Sequence, residues 1–277
     1  MKMRPGIVFS KGGYVSVPVV AAAGFLRIPV FTHESDFDPG IATKINSLFA
    51  EKVLTSFEET SSFFSAKHRE KVVYTGNPIR TALLAGNMEK GRAYVGAPSG
   101  RKILLVLGGS QGAKQINVAV RYILDRLNKK CFVVHQTGKN DFQKMEVNGY
   151  FPQAFFNAEL SDILASASLV VCRAGSNTLW ELAACGLPSI LVPLSRSGSR
   201  GDQIRNAAVF EQRGASLVVQ EDEALGEHLL EIICNLIDND QALERMAENA
   251  RSLSRKDAAQ NIADLLGDRI SNAGSQT

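Results

Sequence analysis

Short apolar runs of the β type alternate along the chain with stretches whose apolar positions recur every three to four residues. Alternation of this kind is typical of βαβ units and predicts parallel sheets. The predicted strands are Ile7–Phe9, Val30–His33, Val53–Thr55, Val72–Thr75, Ile103–Leu107, Phe132–Gln136, Leu169–Cys172, Ser189–Val192 and Ser216–Val219. The predicted helices are Val15–Leu26, Ile41–Phe49, Lys114–Leu127, Thr178–Cys185, Gln203–Arg213, Ala224–Ile237, Gln241–Ser252 and Ala258–Ile270.

The alternation is interrupted once, where glycine, proline and scattered charge predict an interdomain linker at 88–98. Residues 1–87 then form a first domain, 99–254 a second, doubly wound domain, and 255–277 a C-terminal helix and tail. The fold class is therefore α/β. The first domain starts inside the alternation, and a doubly wound domain of ordinary size needs more chain upstream. We expect the N-terminal domain to be incomplete in this sequence, with a small complete domain as the alternative.

Composition narrows the class of protein. With 45% hydrophobic and 21% charged residues among 277, the chain has the composition of a soluble globular protein. A net charge of +3 without a dense basic stretch argues against a nucleic-acid partner. The largely apolar stretch Val15–Leu26 contains Pro18 and Gly24, so it predicts a buried helix and not a membrane span. No CxxC, HExxH or histidine cluster is present, so we expect neither a metal nor a cofactor. No signal peptide is recognisable, which favours a cytosolic location.

Candidate chemistry lies where predicted strands end. The turn Gly108–Ala113 follows a strand and opens a helix. Glycine lets the backbone approach a ligand, and the N–H groups at a helix start favour an anion such as phosphate. Alone, this turn fits a plain strand-to-helix connection equally well. Further segments at strand ends or helix starts are Ser10–Ser16, His33–Gly40, Thr75–Arg80, Cys172–Glu181 and Gly201–Ala207.

Together and in this order, the six segments resemble the MurG glycosyltransferase family, and the resemblance covers about Pro5 to Leu266. It implies the GT-B architecture, in which two Rossmann-like domains face a cleft. It implies inverting transfer of N-acetylglucosamine from UDP-N-acetylglucosamine to undecaprenyl-diphosphate-linked muramoyl-pentapeptide, a step of peptidoglycan synthesis. It also implies a peripheral position on the cytoplasmic face of the cell membrane, with the acceptor on the N-terminal domain.

The resemblance assigns donor binding mainly to the second domain. The backbone at Asn157 would contact uracil, Glu181 would accept hydrogen bonds from the ribose, and Gln203 would bind the sugar hydroxyls. The remaining donor residues would hold the diphosphate through N–H groups, a helix N-terminus and, in place of a metal, one guanidinium. The implied donor set is Arg80, Gly109, Ser110, Gln111, Asn157, Ser176, Thr178, Glu181 and Gln203. Taken singly, Glu181 also fits a solvated helix residue, Gln203 a surface amide, and Arg80 a partner for a C-terminal carboxylate.

The resemblance places acceptor contacts in the first domain, where the match is less complete. The implied acceptor set is Gly12, Gly13, Tyr14, His33, Glu34 and Asp36. The glycine loop would cradle the lipid diphosphate. The family usually has Gln and Asn where this chain has Ser35 and Asp36, and Asp36 replaces a neutral amide with a carboxylate. The identity of the acceptor is therefore left open.

The family also begins with a further glycine-rich loop that ends in a histidine, its proposed general base, and this sequence contains no such loop. The catalytic base stays unassigned, with His33 as the fallback candidate, and we expect donor binding with poor transfer. One alternative is a related transferase that acts on another lipid or polysaccharide carrier. A second is a UDP-sugar-binding subunit or pseudoenzyme of a split enzyme.

Overall fold

The computed structural model describes residues 5–109, 112–195 and 201–274. The chain divides into two compact units. The first unit consists of Met1–Ile79 together with Arg255–Thr277, and the second unit is Arg80–Ser254. The C-terminal segment, predicted as a separate helix and tail, is therefore part of the first unit.

The first unit contains a four-stranded parallel sheet in the order β1-β2-β3-β4. Its strands are β1 (Val8–Ser10), β2 (Val30–Glu34), β3 (Lys52–Thr55) and β4 (Val72–Tyr74). Its helices are α1 (Ser16–Phe25), α2 (Ile41–Phe49), the short α3 (Ala66–Arg69) and the C-terminal helix Ala258–Gly274, with a 3-10 turn at Glu59–Phe63.

The core of the first unit lies on both faces of this sheet, because successive strand residues point to opposite sides. On one face, Val30 and Val53 pack in a cluster that includes α1. On the other face, Phe31 and Leu54 pack against Ile262 of the C-terminal helix. The end of the chain therefore covers a sheet face that would otherwise expose apolar side chains.

Helix α1 corrects the prediction of a buried helix. Only Val20 and Ala23 of α1 are buried, whereas neighbouring Tyr14, Phe25 and Leu26 are 85%, 79% and 72% exposed. The sequence of α1 is apolar around most of its circumference, and one sheet face can bury only one side of such a helix. Within the described residues, no helix combines the length and apolar character needed to cross a membrane.

The second unit contains a six-stranded parallel sheet in the order β10-β9-β8-β5-β6-β7. Its strands are β5 (Ile103–Leu107), β6 (Phe132–Gln136), β7 (Tyr150–Gln153), β8 (Leu169–Cys172), β9 (Ser189–Leu191) and β10 (Ser216–Val218). Its helices are α4 (Met88–Val95), α5 (Lys114–Leu127), α6 (Leu160–Ser166), α7 (Ser176–Cys185), α8 (Asp202–Gln212), α9 (Leu225–Ile237) and α10 (Asp240–Leu253). A 3-10 turn at Thr81–Ala85 precedes α4.

This strand order is that of a doubly wound Rossmann sheet. Counted from β7, the order within the unit is third, second, first, fourth, fifth and sixth strand along the chain. The direction of winding reverses between β5 and β8, and ligands of open α/β sheets bind outside the carboxyl ends of the strands at such a switch point. The fold therefore selects the turns after β5 and β8 as the first place to search for a site.

The segment predicted as a linker at 88–98 is helical over Met88–Val95 and belongs to the second unit. Asn87 caps α4 through its side chain, and a Cβ atom at Gly91 would overlap the carbonyl oxygen of Asp162 in α6. Gly96 ends the helix with a φ of +69°, a conformation that favours glycine. The glycines that suggested a flexible linker thus serve close helix packing and a helix C-cap.

Candidate functional site

A cavity of about 330 Å³ lies at the carboxyl edge of the second unit's sheet. Its wall is formed by the turn after β5, the turn after β8 and the first turns of α7, which is the switch point of the sheet. Four residues of the predicted donor set line it: Arg80, Gly109, Thr178 and Glu181. The structure therefore brings together side chains and backbone that the sequence assigned to one ligand.

The glycine turn after β5 packs tightly against the end of β6. The Gly108 N–H donates to the Gln136 carbonyl at 3.0 Å, and Gly109 has a φ of +72°. Gly112 has a φ of +84°, and a Cβ atom there would lie 2.6 Å from the Thr137 carbonyl oxygen. Only glycine fits that position without moving backbone. Ser110 and Gln111 lie outside the described residues, so their assignment to the diphosphate stays a prediction.

The two charged residues of the predicted donor set form one ion pair at the cavity. Arg80 donates to both carboxylate oxygens of Glu181, Nε to Oε1 at 2.7 Å and Nη2 to Oε2 at 2.9 Å. The Arg80 side chain is 62% exposed, and its hydrogen bond to Glu181 raises its pKa further above the usual value. The Arg80 guanidinium is therefore held at this cavity by Glu181, where it could also donate hydrogen bonds to a phosphate group of a ligand.

Helix α7 presents its N-terminus to the same cavity. Thr178 and the N-cap residue Gly175 both line the cavity. Ser176, also predicted, is buried in that turn. The N–H groups and the dipole of a helix start favour negative charge, so this end of α7 suits a phosphate.

Asn157 and Gln203, two predicted donor residues, do not belong to the cavity wall as described. The Asn157 N–H donates to a carboxylate oxygen of Glu159 at 3.1 Å. The side-chain oxygen of Gln203 accepts the Leu194 N–H at 3.1 Å, near the start of α8. Their roles toward uracil and sugar stay predictions.

Two polar residues of the cavity wall had no role assigned from the sequence, although Arg173 lies within the candidate segment Cys172–Glu181. Gln136 is the last residue of β6, and Arg173 directly follows β8. Arg173 forms an ion pair with Glu221 and donates to the Gln115 side chain at 3.1 Å, so its guanidinium is held in place. Both residues lie where a predicted strand ends, and this position in the sequence could have identified them as candidate site residues.

In the first unit, His33 is fully buried and both ring nitrogens have partners. Its Nε2 lies 3.0 Å from the Gly76 carbonyl, which can only accept, so Nε2 carries the proton and Nδ1 accepts from Lys11 at 3.1 Å. Burial, with the Lys11 charge, lowers the pKa of His33 to about 3. This geometry argues against the fallback assignment of His33 as the base, because its one lone pair is already used.

Lys11 lies in the candidate segment Ser10–Ser16 but had been given no role there, and it connects three loops of the first unit. Besides His33, its ammonium donates to Ser35 Oγ at 3.0 Å and to Asn77 Oδ1 at 3.3 Å. Burial lowers the pKa of Lys11 to about 8, against the opposing effect of Glu34 and Asp36. The loops after β1, β2 and β4 therefore meet at one cation.

Glu34, predicted to contact the acceptor, shapes its own loop. One carboxylate oxygen accepts the Asp36 N–H at 3.1 Å and the other accepts the Gly40 N–H at 2.9 Å. Gly12 and Gly13 have φ values of +84° and +80°, as an open glycine loop requires. The acceptor residues thus lie at one sheet edge, but their contacts to an acceptor stay predictions.

Comparison with known proteins identifies the class of protein. The glycosyltransferase family 28 C-terminal domain matches residues 103–262, and the glycosyltransferase family 28 N-terminal domain matches residues 1–55. The first match spans most of the second unit and includes the whole six-stranded sheet with its switch point. The class is that of a glycosyltransferase with Rossmann-like domains.

Individual relatives narrow the class further. The chain is 42% identical to UDP-N-acetylglucosamine--N-acetylmuramyl-(pentapeptide) pyrophosphoryl-undecaprenol N-acetylglucosamine transferase of Treponema denticola, over 96% of this chain and 73% of the relative. It is 43% identical to the similarly named transferase 2 of Bacillus cereus, over 87% and 68%. The crystal structure of Acinetobacter baumannii MurG matches with a TM-score of 0.74 and 27% identity, over 95% of this chain and 73% of that one. The chain belongs to the MurG family of glycosyltransferases.

Proposed function

We propose that this chain transfers N-acetylglucosamine from UDP-N-acetylglucosamine to undecaprenyl-diphosphate-linked muramoyl-pentapeptide. The observation that carries the proposal is the cavity at the switch point of the second unit, with Arg80 and Glu181 on its wall. It offers backbone N–H groups and a helix N-terminus for a diphosphate, a carboxylate for ribose and a guanidinium for phosphate charge. The names of the relatives support the substrates.

The chemistry that this arrangement suits is a single displacement with inversion. The acceptor hydroxyl attacks the anomeric carbon, the bond from that carbon to the diphosphate oxygen breaks, and UDP leaves with the bonding electrons. The glycine turn, the start of α7 and Arg80 stabilise the charge that develops on the diphosphate. The proton of the hydroxyl needs a general base. That base stays unassigned, since both ring nitrogens of the fallback candidate His33 already have hydrogen-bond partners.

The donor assignment is tested by calorimetric titration of the 277-residue chain with UDP, with ADP as the matched nucleotide. We expect UDP to bind and ADP to bind more weakly. No UDP binding at millimolar concentration would overturn the assignment. Transfer is tested with radiolabelled UDP-N-acetylglucosamine and a short-chain lipid-linked muramoyl-pentapeptide. UDP binding without any transfer would favour the alternative of a donor-binding subunit.

We also propose that the first unit contacts a membrane surface through its exposed apolar face. Phe25 and Leu26 at the end of α1 are exposed, and Leu48 near the end of the adjacent helix α2 is 58% exposed, next to Phe49, whose ring contacts Phe25. Arg27, the next residue along the chain, adds positive charge, which suits the anionic cytoplasmic leaflet. Apolar side chains with neighbouring cations are the usual composition of an interfacial contact.

The membrane contact is tested by sedimentation with anionic vesicles. Replacing Phe25 and Leu26 with Ser should weaken vesicle binding at least about tenfold, since each large apolar side chain contributes roughly 1.5–3 kcal/mol when buried. Tyr122→Ser is the matched control, because Tyr122 is a 70% exposed aromatic residue of the second unit. Equal binding by the double variant and the control would refute the contact.

A further inference from the structure

The side chain of Gln136 connects two loops at the donor cavity. Gln136 ends β6, lines the cavity and is only 5% exposed. Its Nε2 donates to the Gly109 carbonyl at 3.3 Å, and its Oε1 accepts the Phe156 N–H at 3.0 Å. Its backbone carbonyl accepts the Gly108 N–H at 3.0 Å. One residue therefore fixes the glycine turn after β5 and the segment after β7.

These two loops are predicted to bind different parts of the donor. Gly109 belongs to the turn assigned to the diphosphate, and Phe156 directly precedes Asn157, whose backbone is assigned to uracil. Phe156 is itself anchored, because it is buried and its ring stacks on Phe151 with 6.5 Å between centroids. The amide of Gln136 is thus a direct side-chain connection between the expected diphosphate and base subsites.

The chemistry of a primary amide is required for this connection. An amide offers one donor and one acceptor at the same end of the side chain, and here each is used by a different loop. A carboxylate keeps the acceptor toward Phe156 but places a second oxygen against the Gly109 carbonyl. A thioether of similar length supplies neither bond with comparable strength.

We propose that Gln136 is a positioning residue that sets the spacing between the base and diphosphate subsites and so contributes to selection of the uracil nucleotide. This inference rests on the proposed function, since it takes UDP as the ligand. If the loops of a subsite are already ordered before binding, no conformational entropy is lost there when the nucleotide binds. The affinity for the nucleotide therefore depends on the residue that holds these loops in place.

The experiment compares Gln136→Glu and Gln136→Met with a matched control, Gln153→Met. Gln153 ends the neighbouring strand β7, in register with Gln136, and its side chain is not part of the cavity wall as described. Calorimetry with UDP, ADP and pyrophosphate gives affinity for the whole nucleotide, its base selectivity and its diphosphate part. Thermal unfolding of each variant reports the stability separately.

For Gln136→Glu we expect about tenfold weaker binding of pyrophosphate and UDP, with the ratio of UDP to ADP affinity unchanged, because the bond to Gly109 is lost and a negative charge is added to the cavity wall. Lowering the pH should restore pyrophosphate affinity, because a protonated carboxyl can donate to the Gly109 carbonyl. For Gln136→Met we expect the UDP-to-ADP ratio to fall as well. Gln153→Met should leave all three affinities unchanged.

The outcomes separate this inference from the proposed function. If the wild-type chain does not bind UDP, the proposed function fails. If it binds UDP but Gln136→Glu keeps full pyrophosphate affinity at neutral pH, the positioning role fails. If Gln136→Met does not fold, Gln136→Asn decides, because its side chain adds no charge and is one methylene too short to keep both bonds. Unchanged affinities for UDP, ADP and pyrophosphate in that variant would overturn the positioning role.

Discussion

Replacement of Glu181 by Ala separates two roles of its carboxylate, an ion pair with Arg80 and a predicted contact to ribose. The ion pair contributes modestly to stability, because the Arg80 side chain is 62% exposed although that of Glu181 is 14% exposed, and Glu181→Ala leaves behind only the exposed guanidinium, which water can solvate. Pairs of this kind contribute about 0–1 kcal/mol to the free energy of unfolding. We therefore expect the Glu181→Ala variant to fold with a nearly unchanged unfolding temperature.

The effect on UDP should be much larger than the effect on stability. Hydrogen bonds from ribose hydroxyls to a charged acceptor are worth roughly 1.5–3 kcal/mol, which corresponds to about 10- to 150-fold weaker UDP binding. Pyrophosphate has no ribose, so it loses nothing by this change. The substitution also releases the Arg80 guanidinium from its two hydrogen bonds at 2.7 and 2.9 Å, so pyrophosphate should bind equally well or more tightly.

Calorimetric titration with UDP and with pyrophosphate measures both effects on one protein. Glu227→Ala is the control, because Glu227 forms a similar two-bond pair with Arg126, at 2.8 and 2.6 Å, away from the cavity wall. The control should lose neither ligand. Equal losses of UDP and pyrophosphate affinity in Glu181→Ala would mean that Glu181 does not contact the ribose, and unchanged UDP affinity would remove Glu181 from the site.

Two further outcomes follow from backbone geometry and from titration. Gly112→Ala should lower the free energy of unfolding by roughly 1–3 kcal/mol and weaken pyrophosphate binding, because φ is +84° and the new Cβ would meet the Thr137 carbonyl. Denaturant titration measures the first effect and calorimetry the second. A fully stable variant would contradict the geometry. Burial lowers the pKa of His33 and of His135 to about 3. Between pH 6.5 and 3 the unfolded chain therefore binds protons that the folded chain does not, and the free energy of unfolding decreases as the pH falls. Each histidine contributes a slope of up to about 1.4 kcal/mol per pH unit, and His135→Gln should reduce the slope measured by denaturant titration; an unchanged slope would show that His135 does not titrate as described.

The strongly patterned elements were predictable, and the weakly patterned ones were not. Strands β5, β6 and β8 and helices α2 and α5 have the predicted bounds, because each carries a long apolar run or a clear helical period. Strand β7 was missed because it is short, lies at the sheet edge and contains Pro152, which an edge strand tolerates. Helix α4 was missed because Gly91 and Gly96 resemble the glycines of a loop. The structure shows that Gly91 allows α6 to pack closely and that Gly96 is the C-cap of α4.

The candidate site was predictable to the extent that it follows from strand ends. Parallel strands bring their carboxyl ends to one edge, so residues after β5 and β8 had to be neighbours once the sheet order was known. The pairing of side chains was not predictable in this way. Arg80 and Glu181 are 101 positions apart, and each had been assigned to a different part of the nucleotide; only the folded chain makes them one ion pair. The same limit applies to Gln136, which ends a strand, and to Lys11, which follows one. The role of each depends on hydrogen-bond partners in other loops, and the sequence alone does not identify those partners. Polar residues at strand ends in an α/β chain should therefore be included among candidate site residues even when no motif assigns them a role. The ends of parallel strands lie at one edge of the sheet, so such residues lie close to residues of other loops.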